Sequence, residues 1–129
     1  FKPITTKYIE DHKIHSEKYN VSEKDFLKIL NYKKLNKNIL CIGTTSLRAI
    51  ESAFINNQLE GETDLFILPN TKLNLANQLI TNFHAPKSSL LSIVHNIYGN
   101  KWRELYEFAL NKKMKFLSFG DAVLFDINE

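Results

Sequence analysis

Two short segments of this 129-residue sequence gather polar side chains directly after an apolar run. The first segment, 43–48, reads Gly-Thr-Thr-Ser-Leu-Arg. Free N–H groups at a helix start, with hydroxyls and an arginine beside them, can hold an anion or a polar ligand. The segment lacks the P-loop and G-x-G-x-x-G patterns, and its hydroxyls suit simple helix capping equally well. Arg48 and Glu51 are spaced to pair on the surface of the predicted helix.

The second segment, 81–88, reads Thr-Asn-Phe-His-Ala-Pro-Lys-Ser and places four polar groups in one strand-to-helix turn. His84 can move a proton near neutral pH, Asn82 offers an amide, and Lys87 offers a cation beside the helix start. A lone histidine in a turn usually serves only as a hydrogen-bonding residue. The polar neighbours of His84 favour a functional site.

A third pattern, His12-x-x-His15-x-Glu17, is weaker. It contains no H-E-x-x-H helix, and no cysteine pair accompanies it, so we predict no metal site. In an extended segment His15 and Glu17 point to the same side, which favours a hydrogen-bonded acid/base pair. Asp121 follows Gly120 in a pattern typical of a turn aspartate.

These segments must be positioned by alternating strands and helices, which predict an α/β fold. We expect a mixed, largely parallel sheet flanked by helices. The predicted helices cover 22–34, 44–56, 87–98 and 101–112. An extended segment is predicted over 12–21, and strands are predicted over 38–43, 64–68, 78–83, 115–118 and 121–125. Ligands collect at the carboxyl ends of parallel strands. We therefore predict one cleft lined by His15, Glu17, Thr45, Arg48, Asn82 and His84.

Composition fits a single α/β domain over 1–129, with 43% hydrophobic and 24% charged residues. The apolar runs are too short for a membrane helix. Cys41 is the only cysteine and sits in an apolar run, which predicts a buried thiol and a reducing cytosolic compartment. The net charge of +3 argues against strong autonomous RNA binding. The start at Phe1 favours a fragment of a longer protein.

The order of the motifs is more specific than any one of them. The series contains H-x-x-H-S-E at 12–17, G-T-T-S-L-R at 43–48, T-D-L-F-I at 63–67, T-N-F-H-A-P-K-S at 81–88 and S-F-G-D-A at 118–122. This series resembles the C-terminal part of the S-adenosylmethionine:tRNA ribosyltransferase-isomerase family, from Phe1-Lys2-Pro3 to Phe125. The resemblance implies a larger two-domain enzyme, whose N-terminal half and inserted β-barrel domain are absent from these 129 residues.

The resemblance also implies the reaction. The family transfers and isomerises the ribosyl moiety of S-adenosylmethionine onto 7-aminomethyl-7-deazaguanine at the tRNA wobble position, giving epoxyqueuosine. S-adenosylmethionine is then a substrate rather than a cofactor, tRNA is the partner, and no metal or membrane is involved. A cytoplasmic monomer is expected. The implied proton-moving residues are His15, Glu17 and His84, and the implied substrate-binding residues are Thr44, Thr45, Arg48, Glu51, Thr81, Asn82, Lys87, Ser88 and Asp121.

Some positions depart from the family pattern. Ile14, Ala85 and Ser89 are conservative changes, and Asn70 replaces a turn glycine that asparagine tolerates. Lys115 stands where the family has arginine, so a bidentate contact there is in doubt. Two alternatives stay open, a non-catalytic tRNA-binding or interaction fragment and a generic anion-binding α/β domain. We expect the isolated 129 residues to show little or no turnover.

Overall fold

A computed structural model of the chain describes residues 4–127, so the Phe1-Lys2-Pro3 start of the resemblance lies outside the described residues. All four predicted helices are present, and the strands follow the predicted order except at 64–68 and 115–118. In chain order they are β1 (Glu17–Asn20), α1 (Glu23–Lys34), β2 (Leu40–Ile42), α2 (Thr44–Asn56), β3 (Glu60–Thr63), β4 (Gln78–Asn82), α3 (Ser89–Tyr98), α4 (Trp102–Asn111) and β5 (Ala122–Asp126).

The strands form two small sheets. In the larger sheet β4 lies in the centre, with β2 parallel to it on one side and β5 antiparallel on the other. In the smaller sheet β1 pairs antiparallel with β3. The prediction of a mixed α/β fold is confirmed. Parallel pairing is confined to β2 and β4, less than the largely parallel sheet we expected, because β5 returns antiparallel to β4.

The three-stranded sheet has one covered face and one open face. Cys41, Leu79 and Phe125 lie in register on the covered face and are buried against side chains of α2, α3 and α4. The neighbouring row contains Ile42 and Leu124, which are 73% and 54% exposed. Side chains alternate across a strand, so this row belongs to the opposite face. The helices therefore pack on one side of the sheet.

Two predicted strands have another structure. Residues 64–68 have no strand pairing, with Ile67 buried and Asp64 exposed, and the strand lies just before them, at β3. Two of their amides bond to side chains instead of a strand, because Leu65 N–H donates to Thr63 Oγ1 and Leu68 N–H donates to Thr71 Oγ1. Residues 115–118 lead into a 3-10 helix, Leu117–Phe119, in place of a strand.

Helix α3 begins later than predicted. Ser88 caps it by accepting a hydrogen bond from Leu91 N–H, so Pro86 lies outside the helix. Helix α1 begins as predicted, because Ser22 Oγ accepts from Asp25 N–H. None of the helices between residues 4 and 127 has the length and apolar character of a membrane span.

Candidate functional site

The two polar turns open on the same edge of the sheet. Since β2 and β4 run parallel, the turn after β2 and the turn after β4 both lie at the carboxyl edge. A cleft of about 270 Å³ lies between them, lined by Gly43, Thr44, Thr45, Thr81, Asn82, His84, Ala85, Ser88, Leu90, Leu117 and Ser118. Polar groups from both turns thus face one cavity.

Gly43 shapes the first turn. Its φ of 87° lies in the region that favours glycine, and it serves as the N-cap of α2 without a side chain. The predicted capping by hydroxyls is not observed, because Ser46 Oγ donates to the carbonyls of Ile42 and Gly43. The start of α2 therefore has no side-chain cap, and Thr44 and Thr45 line the cleft.

His84 is the buried titratable group of the cleft. Its Nε2 lies 2.9 Å from Thr81 Oγ1, and its backbone N–H donates to Tyr106 Oη at 3.0 Å. Burial lowers the pKa of His84 from 6.5 to about 4, because the protonated ring loses its hydration. We predicted a group that moves protons near neutral pH. At pH 7 the ring is instead neutral, and it can accept a proton but has none to spare as an acid.

Asn82 joins the cleft to the turn before β5. Its Nδ2 donates to the carbonyls of Gly120 and Asp121 at 3.1 and 3.2 Å. Asp121 lies outside the cleft lining, and its Oδ2 accepts from Lys115 N–H, the bond expected of a turn aspartate. Leu117 and Ser118 were missed as lining residues. Ser118 was in the motif series, but a predicted strand gave no reason to bring it to the cleft.

A second, smaller cavity of about 180 Å³ adjoins the first. Thr45 lines both cavities. Glu17 and Arg48 line the second, and Arg48 Nη1 donates to Glu17 Oε2. The predicted pair of Arg48 with Glu51 is wrong, because β1 brings Glu17 to Arg48 while Glu51 points into the core.

The predicted cleft of six residues is thus divided between two cavities. Thr45, Asn82 and His84 line the first, whereas Glu17 and Arg48 line the second beside Thr45. His15 is exposed before β1 and lines neither cavity, so the expected pair with Glu17 is not formed.

Three other predicted binding residues have structural contacts. Glu51 is fully buried, and its two carboxylate oxygens accept four hydrogen bonds from Asn74, Leu75 and Ala76, which leaves none of it open to a ligand. Ser88 lines the cleft but also caps α3. Lys87 is exposed outside the lining, at a φ of 56°.

Cys41 and His12 both lie outside the cleft. Cys41 is buried, as predicted, and burial together with the Glu51 charge raises the pKa of its thiol to about 12. The His12 ring packs edge-on against Phe66. Between residues 4 and 127, no three His, Cys, Asp or Glu side chains are grouped as metal ligands would be.

A cleft with apolar walls and a few polar side chains, at the carboxyl edge of two parallel strands, is typical of α/β proteins with a small-molecule site. More particularly, the chain belongs to the queuosine biosynthesis protein family, whose family model matches residues 1–125.

Individual relatives agree with this family. The chain is 42% identical to the S-adenosylmethionine:tRNA ribosyltransferase-isomerase of Vesicomyosocius okutanii, over 99% of the chain and 39% of that protein. It is 41% identical to the enzyme of that name from Rickettsia bellii, over 96% of the chain and 36% of that protein. The crystal structure of the S-adenosylmethionine tRNA ribosyltransferase from Thermotoga maritima matches with a TM-score of 0.73 and 33% identity, over 84% of the chain and 39% of that structure. The chain therefore spans less than two-fifths of the length of these relatives.

Proposed function

We propose that these residues form part of an enzyme that transfers and isomerises the ribosyl moiety of S-adenosylmethionine onto 7-aminomethyl-7-deazaguanine in tRNA, giving epoxyqueuosine with release of adenine and methionine. The observation that carries the proposal is the 42% identity, over 99% of the chain, to a protein named for this activity. The cleft between the turns after β2 and β4 supports it, because hydroxyl, amide and imidazole side chains stand among its apolar walls, as in other sites for small molecules. We place the reaction in the cytoplasm, in a monomer, without a metal.

In this proposal His84 takes the role of base. The reaction needs a group that accepts the acidic proton beside the positively charged sulfur of S-adenosylmethionine. A histidine with its pKa lowered to about 4 is neutral at pH 7, so it does not repel that sulfonium cation, and its unprotonated nitrogen can accept the proton. The same burial makes the ring a weaker base than free imidazole, so its contribution depends on its position beside the donor. The hydrogen bond with Thr81 fixes the orientation of the ring.

Thr44, Thr45 and Asn82 are assigned to positioning. Their hydroxyl and amide groups line the cleft and can bond the ribose hydroxyls or the departing adenine. Asn82 is itself held by two carbonyls of the turn before β5, which fixes its amide. Thr81 supports His84 rather than the substrate, since its hydroxyl is engaged by the imidazole.

The test uses a complete protein of the relatives' length that contains these residues. It is incubated with labelled S-adenosylmethionine and a tRNA bearing 7-aminomethyl-7-deazaguanine, and adenine release and epoxyqueuosine formation are followed. We expect His84→Gln to lower turnover by about two to four orders of magnitude. His95→Gln on α3, which replaces a histidine outside the cleft, is the matched control and should retain turnover.

Three results would count against the proposal. Methyl transfer without adenine release would show a different use of S-adenosylmethionine. Tight tRNA binding with no turnover would favour the non-catalytic alternative. Loss of turnover on exhaustive EDTA treatment, restored by a metal, would show that a metal takes part.

A further inference from the structure

Arg48 carries a buried donor that the described protein groups leave unpaired. Its side chain is 6% exposed. Nε donates to the Leu65 carbonyl at 3.1 Å, and Nη1 donates to Glu17. Within residues 4–127, Nη2 has no hydrogen-bond acceptor. A buried charged donor without an acceptor is unfavourable, so an acceptor that reached this guanidinium would be stabilised.

The cavity beside Arg48 suits a compact ligand with two opposite charges. Its volume is about 180 Å³, which corresponds to roughly six water molecules at ~30 Å³ each. Glu17, on its wall, is 52% exposed and uses Oε2 for the ion pair. The cavity thus presents a cation that needs an acceptor and an anion that is open to a donor.

We infer that this cavity is the subsite for the α-amino acid group of S-adenosylmethionine, with the α-carboxylate on the Arg48 guanidinium and the α-ammonium on Glu17. The inference rests on the proposed function and deepens it. Because Thr45 lines both cavities, a donor whose amino acid end lies here has its ribosyl part beside the cleft that contains His84. Glu17 then acts in binding, rather than as one of the proton movers.

Charge separates this ligand from an RNA phosphate. A phosphate placed on Arg48 also lies next to the Glu17 carboxylate, and two like charges at this range repel each other. An α-amino acid can pair with both groups, because it carries a carboxylate and an ammonium group on one carbon, and Arg48 and Glu17 are themselves in contact. Among the described residues, the larger cleft that contains His84 has no such ion pair in its lining.

The experiment compares S-adenosylmethionine with its decarboxylated form in the complete protein. In the unchanged protein, removal of the carboxylate should raise KM by about 10–100-fold, since a hydrogen bond to a charged group contributes about 1.5–3 kcal/mol. Arg48→Lys should raise KM for S-adenosylmethionine about as much and change KM for the decarboxylated donor by less than about threefold. Arg103→Lys, on the exposed face of α4, is the matched control and should change neither KM.

A binding measurement separates this inference from the proposed function. Calorimetric titration with L-methionine should show binding that Arg48→Lys and Glu17→Gln each weaken, and 3-(methylthio)propylamine, which lacks the carboxylate, should be insensitive to Arg48→Lys. Thermal unfolding checks that each variant is folded. Equal losses for both donors, or methionine binding unchanged in a folded Arg48→Lys variant, would overturn the subsite. If the unchanged protein releases no adenine, the proposed function is refuted. The methionine titration still shows, in that case, whether this cavity binds the α-amino acid group.

Discussion

Glu51 offers the sharpest test of how the region behind the site is stabilised. Its Oε1 accepts from Leu75 N–H at 2.8 Å and from Ala76 N–H at 3.1 Å. Its Oε2 accepts from the backbone N–H and the side-chain amide of Asn74, at 2.8 and 3.2 Å. The carboxylate of α2 therefore fixes the loop that leads into β4. We consider the substitution Glu51→Gln, which keeps the shape of the side chain but removes one acceptor.

The magnitude follows from these four bonds. Glutamine retains one carbonyl oxygen, so one pair of donors keeps its acceptor and the other pair faces an NH2 group. Each buried donor left unpaired costs about 1–3 kcal/mol. Two such donors predict a loss of about 2–6 kcal/mol in the free energy of unfolding.

Urea unfolding followed by the fluorescence of Trp102, the single tryptophan, measures this loss. Glu107→Gln, on the exposed side of α4, is the matched control and should change the free energy of unfolding by less than about 0.5 kcal/mol. A folded Glu51→Gln variant that loses less than about 1 kcal/mol would refute the reasoning, because it would show that the four hydrogen bonds contribute little net stability.

Three further predictions concern the site and its surroundings. The pKa of His84 is about 4 in the folded chain and 6.5 in the unfolded chain, so between these pH values only the unfolded chain is protonated at this residue. The free energy of unfolding should therefore fall by about 3 kcal/mol as the pH drops from 6.5 to 4. His84→Gln should abolish this loss, as measured by urea unfolding at each pH. Cys41, with its pKa raised to about 12 by burial, should resist thiol reagents at pH 8 in the native chain and react in urea; rapid native labelling would contradict its burial. Gly120→Ala would place a Cβ 2.4 Å from the Lys115 carbonyl oxygen, and should cost about 3 kcal/mol in thermal or urea unfolding; an unchanged midpoint would show that this turn shifts freely.

The elements predicted correctly are those that depend on local sequence. Helix α1 starts where Ser22 can cap it, and β4 follows its apolar run. The run at 64–68 is not a strand, because an apolar run indicates burial and does not show which group bonds each amide. Hydroxyls of Thr63 and Thr71 supply acceptors that a neighbouring strand would otherwise provide.

The site shows the same division between local and distant contacts. The meeting of the two turns was predictable, because it requires only that β2 and β4 be parallel. The ion pair of Arg48 was not, since Glu17 is 31 residues away and reaches it only through the pairing of β1 with β3. The lowered pKa of His84 was also beyond the sequence, because it depends on burial by the packing around Tyr106.

The open face of the sheet exposes apolar side chains whose burial would stabilise the domain. Ile42 and Leu124, which flank Ile80 in register, leave apolar area in water that contributes nothing to folding. If another part of the protein packs on this face, the burial of its apolar surface stabilises both that part and this domain. The domain and the part that covers it would then unfold together. Substitutions on the open face would then be silent in the isolated domain and destabilising in the assembled protein.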